Sequence, residues 1–540
     1  MARRRKSSVF TVGALSCTTG IFLATVSGLI LCIPYVMLAD SAQLSGLAVL
    51  HAFLIFVSRT FAASLPFGLM ALCANYTSRN DYKTVLHLRL FTSIAMMIFA
   101  CVLAVALAFG SQPLAALILG GAADAASLAA VRNVLYAVAG FILLFAVLYL
   151  YRGFYQGMNE ITVDERSQWI NGLLSALCSA GSLAYIWFHR DAKGIMLYLI
   201  VGGAVLALLI TIGFYVLFDR LKYPRIEAMA KAQLLPQVKK KKAIGELFAF
   251  TMPGFTVAIL NGCILLINTV FFLPATQAAG MEAKDALQIY HQLQVHSAWI
   301  AEIPVLFACW LSSSQIPQIA EGVERRSEAL IDRGVERIFG RFLYAAIPML
   351  FTIGILAPQF YYVLYGKTAA ETGAAVLWWA IAEGAAVAMA MISSWLMITL
   401  RFNQNSVFYT VIGLIVKIAT FWFLLSYMGY AGAMASTILA VFTILFLSLS
   451  RVYNVFNVSY QRLFLQMGKM LAACLCMNGV FAIFKFFGLD GLHASRLLSA
   501  VHLLAMYAVA VPVYLFVTGM LKVPTQLFGK KKGKSNDAAG

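Results

Sequence analysis

Two cations, Arg59 and Lys417, lie in the middle of long apolar runs, and two acids, Glu302 and Glu383, do the same. An ionised side chain at mid-bilayer costs about 2.5–3.5 kcal/mol on insertion scales, so such a residue faces protein or water, not lipid. On a helix Arg59 follows Ile55 by one turn and His51 by two, which puts two polar groups on one stripe. A guanidinium is always charged, and its planar fork of donors matches phosphate oxygens. That stripe can contact an anion from inside a bundle, or it can close a structural ion pair. Lys417, in Gly413-Leu-Ile-Val-Lys417-Ile-Ala-Thr420, either pairs with a carboxylate of a neighbouring helix or stands where another protein would hold a free cation. Glu302 is a proton site or the counter-ion of Arg59 or Lys417, and the counter-ion is the expectation here. Trp299 shares its face, whereas His296 does not. His291 and His296 read as polar residues toward the outer interface, since His-x4-His without a third ligand is a poor zinc signal. No metal or cofactor is expected.

Enzymatic constellations do not occur in the chain. It has no Gly-rich phosphate loop ending in Lys-Ser/Thr, no nucleophile elbow and no paired acids in a long outer loop. The nine cysteines are scattered, and Cys17, Cys101, Cys178 and Cys474 sit inside apolar runs as small hydrophobes, so no disulfide framework is expected.

The elements that must position these residues are membrane helices. Of 540 residues 62% are hydrophobic and 11% charged, with a mean hydropathy of +0.85, against about 25% charged in a soluble domain. A span needs about 20 apolar residues. Fourteen runs qualify: 9–36, 46–76, 86–109, 128–151, 168–188, 195–218, 247–273, 289–317, 342–365, 373–399, 406–427, 431–450, 463–487 and 496–520. The run after Arg3-Arg4-Arg5-Lys6 is far longer than a signal-peptide core of about 7–15 residues, so it reads as a retained first span.

Of the 40 lysines and arginines, 30 fall in alternate gaps, six in or beside the opposite gaps and four inside runs. Basic loops stay cytoplasmic, so both termini are expected there, with an even number of spans. Lys469 and Lys485 lie near run ends and can snorkel. The net charge of +18 is thereby assigned to topology; with no soluble domain to carry it, nucleic-acid binding is excluded.

The longest basic loop, 221–245 with Lys239-Lys240-Lys241-Lys242, divides the chain into six spans (1–220) and eight. Residues 246–455 make a second set of six, and 456–540 hold two more spans and a basic tail. Each half starts its fifth span after a short polar segment with Arg and Gln: Arg152 and Gln156 before Ser167, then Arg401 and Gln404 before Ser406. Such halves suggest the repeat architecture of secondary transporters. The expected fold is an all-α polytopic membrane protein of about 14 transmembrane helices, in two pseudo-symmetric six-helix lobes plus two C-terminal helices.

Several segments carry a resemblance. Leu65-Pro66, Asn75-Tyr76 and Asn80-Asp81-Tyr82-Lys83, then Arg152-Gly-Phe-Tyr-Gln156-Gly-Met-Asn159-Glu-Ile-Thr, Ile316-Pro317-Gln-Ile-Ala-Glu321 and Gly413 to Lys417 cover most of residues 1–455. Together they resemble the stage V sporulation protein B/YtgP group, in the MurJ-like polysaccharide branch of the MOP superfamily. The resemblance implies alternating access for polyprenyl-pyrophosphate-linked saccharides such as lipid II in a bacterial cytoplasmic membrane. It also implies a cationic central cavity, with Arg59 contacting pyrophosphate. Partners would be the lipid-linked saccharide, membrane lipids and a coupling ion, H+ or Na+. The chain departs from the group at Leu266-Ile267-Asn268-Thr269, where an amide replaces the usual acid, and at Glu302, where MurJ-like proteins carry a cation. The candidate cavity residues are thus Arg59, His51, Lys417, Glu302 and Asn268, with Arg152 and Gln156 as a cytoplasmic gate motif. Rival readings are a multidrug or organic-cation exporter of the same superfamily and a membrane enzyme handling polyprenyl-linked glycans.

Overall fold

A computed structural model describes residues 28, 33–233, 238–302, 306, 315–366, 370–489, 492 and 495–528. Among these, regular structure is entirely helical. Helices α1 (Ser41–Ala62), α2 (Leu65–Ser78), α3 (Tyr82–Leu119), α4 (Ala125–Gly157), α5 (Ile161–Phe188), α6 (Met196–Lys231), α7 (Lys240–Ala278) and α8 (Ala283–His291) come first, followed by a π-helical turn at Gln292–Ser297. Then come α9 (Ile316–Glu324), α10 (Glu328–Ile355), α11 (Ala357–Tyr365), α12 (Ala370–Thr399), α13 (Asn403–Met428), α14 (Tyr430–Phe456), α15 (Gln461–Phe486), α16 (Arg496–Met520) and α17 (Val523–Phe528).

Twelve spans among the described residues are long and apolar enough to cross a membrane, α1 and α2 together making one of them. They match twelve of the fourteen runs. The first run, 9–36, lies almost wholly outside the described residues, as do Arg3 to Lys6 and the basic tail from Lys530. The eighth, 289–317, is described up to Glu302, at 306 and from Gln315.

The helices gather into two compact units. One is drawn from Met1–Ile303 and Arg401–Ile444, the other from Pro304–Leu400 and Leu445–Gly540. In the first, α4 packs along α1, α2 and α3, and α7 packs against α1, α3 and α13. In the second, α10 packs on α9, α12 and α15, and α15 pairs with α16.

Side-chain size explains which faces meet. Along α3, Leu90, Ile94, Ile98, Val102, Val105 and Phe109 are exposed, while Thr92, Met96, Ala100, Ala104 and Ser111 are buried. In lipid the large apolar groups need no burial, so small and weakly polar residues take the contact face and let backbones approach.

Three local features differ from the sequence expectation. The second span is broken: Pro66 has no N–H and its ring would clash with the carbonyl of Ala62, so α1 stops and α2 restarts with Pro66 in its first turn. The basic loop is mostly helix, because α6 runs through Arg220, Lys222 and Arg225 to Lys231 and α7 already begins at Lys240. The π-helical turn widens the helix before Glu302 and shifts the phase of the residues beyond it.

The start of α3 is fastened to the ends of the α6–α7 connection. Asp81 caps α3, accepting from the Thr84 N–H (3.1 Å) and hydroxyl (2.6 Å) and from Gln233 Nε2 (3.0 Å). Val238 N–H donates to Thr84 Oγ1 at 3.3 Å. Burial pushes the Asp81 carboxyl upward, but the hydrogen bonds from Thr84, Gln233 and Val238 outweigh it and hold the group below its ordinary range. A folded value below the unfolded one, about 3.9, means stabilisation that is complete above the unfolded value and lost as pH falls through the folded one. Asp81→Asn is therefore expected to lower the melting temperature in detergent at pH 7 and to flatten its decline below about pH 4. Thermal unfolding against pH, wild type beside variant, checks this.

Candidate functional site

Arg59 stands in the last turn of α1, three residues before its end at Ala62. There Ala63 N–H bonds to the Arg59 carbonyl (3.2 Å), and Ser64 closes the end with its N–H (3.2 Å) and its hydroxyl (2.7 Å) on Phe61 O. A helix C-terminus carries partial negative charge and stabilises a nearby cation by about 0.3–1 kcal/mol. The break therefore supplies part of what holds a half-buried guanidinium in mid-span.

The structure brings His51, Arg59 and Glu302 together. His51 Nε2 lies 3.6 Å from Glu302 Oε2, both groups being largely buried, and the His51 ring rests on Trp299 with centroids 4.3 Å apart. Arg59 acts on Glu302 electrostatically. Glu302, expected as the counter-ion of Arg59 or Lys417, has His51 as its close contact and feels Arg59 from longer range. The His51–Arg59 stripe is thus a basic face with one acid against it.

His291 also departs from expectation. It is not at an interface but buried, 6% exposed, with Nε2 2.9 Å from the Ser45 hydroxyl of α1. The Ser45 partner and the neighbouring Tyr290 ring give it a packed interior position. No group of three or more His, Cys, Asp or Glu side chains suited to a metal ion exists among the described residues.

Lys417 and Asn268 form a separate constellation. Lys417 is 0% exposed on α13, and Nζ donates to Asn268 Oδ1 (2.6 Å), Ala433 O (2.9 Å), Ser436 Oγ (2.8 Å) and Thr437 Oγ1 (2.9 Å). The Phe421 ring, one turn along α13, lies 4.7 Å away. Ser406, Thr410, Gly413 and Lys417 make one buried face of α13, spaced four, three and four residues apart. That spacing is visible in the sequence and marks the contact side of the helix; the partners on α14 carry no such signal.

Arg152 and Gln156 meet at Asp164, a residue that the sequence does not single out. Asp164 of α5, 2% exposed, accepts from Gln156 Nε2 at 2.7 Å and from Tyr215 OH at 3.0 Å, and it pairs with Arg152 Nε at 3.3 Å. Ser167 lies 2.9 Å from Tyr215 OH and donates to the Asp164 carbonyl at 2.7 Å. A second buried pair lies in the same unit: Arg89 bonds Asp219 at 2.8 Å, Tyr155 donates to Asp219, and the guanidinium covers the Phe154 and Tyr223 rings. With Lys222–Glu160 at 2.7 Å, three acid–base pairs stand among α3, α4, α5 and α6.

The glycines of the same motif bring α4 onto α2. A Cβ at Gly153 would lie 2.3 Å from the Pro66 carbonyl oxygen, and one at Gly157 would lie 2.6 Å from that of Met70. Gly153-Phe-Tyr-Gln-Gly157 is a GxxxG spacing, which allows such close backbone approach in membranes.

No family model matches the chain, and the curated proteins contain no match. Its likeness is to solved structures. An inward-facing multidrug resistance MATE family transporter of the MOP superfamily is 13% identical, with 83% of this chain and 99% of that chain covered at a TM-score of 0.62. The lipid II flippase MurJ in an inward closed conformation is 13% identical, with 94% and 98% covered at 0.64. A MOP superfamily transporter from Pyrococcus furiosus, characterised by reversed polarity of its binding pocket, is 12% identical, with 83% and 96% covered at 0.59. The chain has the fold of the MOP superfamily transporters.

Proposed function

We propose that this protein is a flippase that moves a polyprenyl-pyrophosphate-linked saccharide, lipid II or a related envelope precursor, across the bacterial cytoplasmic membrane by alternating access. The observation that carries the reading is the guanidinium of Arg59, held in mid-span at the end of a broken helix, on the helix that also carries His51. A fork of donors inside an apolar bundle suits a pyrophosphate and repels an organic cation. In this reading residues 1–220 and 246–455 rock as lobes around the head group. Arg152 and Gln156 secure the cytoplasmic end, α15 and α16 flank the lipid tail, and an ion gradient or the membrane potential drives the cycle. Both termini face the cytoplasm.

The likeness to MATE transporters, with Glu302 as a deep acid, supports the second reading, an exporter of organic cations. One experiment separates the two. Depletion of the protein is expected to accumulate a polyprenyl-linked intermediate on the cytoplasmic leaflet, relieved by wild type and by Arg59→Lys in part. Arg59→Ala is expected to relieve it about ten- to hundredfold less well, the weight of a charge-assisted fork. Arg59→Ala that flips normally removes the role given to Arg59, and no accumulated intermediate favours the exporter.

A further inference from the structure

The indole of Trp299 is closely held, yet its N–H bonds nothing among the described residues. The ring rests on that of His51, with centroids 4.3 Å apart and planes 35° from parallel. Gly28 backbone also comes up to it: an added Cβ there would lie 2.7 Å from Cζ3 and 3.3 Å from Cη2, so the approach depends on glycine. The side chain as a whole is half-buried, but its Nε1 is shut off from solvent and has no hydrogen-bond partner. A buried indole N–H usually finds an acceptor, and leaving a buried donor unmet costs about 1–3 kcal/mol. A phenylalanine ring would lie against His51 without that cost.

The surroundings of the N–H say which acceptor suits it. Trp299 and Glu302, three residues apart on one helix face, both meet His51. Arg59 follows His51 on the same stripe of α1, about 12 Å along the helix. One molecule serves both places if it carries an anion at one end and an uncharged acceptor at that distance from it. A second phosphate beside Trp299 would be repelled by the Glu302 carboxylate. A sugar joined to a diphosphate meets every condition: its oxygens accept from the N–H, its hydroxyls donate to a carboxylate, and its ring carries no charge.

We propose that Trp299 reads the first sugar of the head group, its indole N–H donating to a hydroxyl or amide oxygen of the ring joined to the diphosphate at Arg59. The inference rests on the transport reading above, in which the helices part during the cycle and bare the N–H. A site built to bond an oxygen rejects a ligand that lacks it, because the donor then stays buried and unpaired. Arg59 thus holds the anion, and Trp299 decides whether a sugar follows it.

The test compares two probes on purified full-length protein in nanodiscs of neutral lipid: undecaprenyl diphosphate and undecaprenyl-diphospho-N-acetylglucosamine. Wild type is expected to bind the sugar-bearing lipid about tenfold more tightly, the weight of one well-made buried hydrogen bond. Trp299→Phe keeps an aromatic ring against His51 and is expected to bring the two probes within about twofold of each other. Arg59→Ala is expected to weaken both. Without lipid, Trp299→Phe should melt close to wild type, since the N–H it removes bonds nothing. The proposal is overturned if Trp299→Phe keeps the wild-type preference, or if its folded yield collapses, which would mark the N–H as a structural donor. A wild type that binds the bare diphosphate lipid and gains nothing from the sugar also overturns it, with the role of Arg59 intact. A wild type that binds neither probe overturns the transport reading along with it.

Discussion

Asp164→Ala is expected to cost about 3–5 kcal/mol of stability, the range for removing one partner of a buried ion pair. Arg152 is 8% exposed and cannot turn to water without leaving the α4–α5 junction, and Tyr215 and Gln156 lose their acceptor at the same time. Replacing both charges should behave differently. Arg152→Met with Asp164→Leu removes the desolvation penalty along with the attraction, so the double variant is expected to recover most of the loss. A double-mutant cycle on melting temperature separates the two, because residues that share one network do not add. Losses that simply add would mean that Arg152 and Asp164 act independently.

Gly153→Val is expected to pry α2 from α4 and to leave little folded protein. Already the first added carbon would lie 2.3 Å from the oxygen and 2.9 Å from the carbon of the Pro66 carbonyl, so backbone must move, not a side-chain tip. Overpacking costs about 1–3 kcal/mol where side chains can adjust, and here they cannot, so that range is a lower limit. Gly157→Ala meets Met70 O at 2.6 Å and Cys73 Cβ at 2.7 Å and is expected to act in the same direction, less severely than valine at 153. Gly140, on the same helix, has nothing within 4 Å of its added carbon. Gly140→Ala is thus the control, neutral or stabilising by up to about 1 kcal/mol through helix propensity. Yield and monodispersity by size-exclusion chromatography rank the three.

The helical spans are legible in the sequence because hydropathy is a local property: a run such as 496–520 coincides with α16 in both its ends. The polar interior is legible as far as its cations. Arg59 and Lys417 announce themselves by standing in apolar runs, and both prove to be engaged inside the protein. Their partners are not legible. Lys417 reaches Asn268 across 149 residues, and Ser436 and Thr437 look like ordinary membrane-helix hydroxyls until α14 is laid beside α13. Asp164 escapes notice for a related reason. It lies in the first turn of α5, beside Glu165 and Arg166, and reads there as loop charge; only the fold buries it against Tyr215. The shared face of Trp299 and Glu302 is legible from their spacing, and both meet His51, whereas the π-helical turn before them is not. Pro66 is in plain view, yet its consequence, a helix end at the level of Arg59, depends on where in the span it falls.

Helices α6 and α7 have 36 and 39 residues, about 54 and 58 Å at 1.5 Å per residue, against a hydrocarbon thickness of about 30 Å. Their overrun carries Arg220, Lys222, Arg225 and Lys231 on one helix and Lys240, Lys241 and Lys242 on the other. Charge that hydropathy assigns to a slack loop is instead borne on two rigid stalks, fastened at Gln233 and Val238 to the start of α3. Stalks keep their charges at set heights above the headgroups, where anionic lipid attracts each by about 1 kcal/mol and salt at about 0.15 M screens it beyond about 8 Å. A fixed pattern of this kind would draw anionic headgroups to set places, and its pull would fade as ionic strength rises.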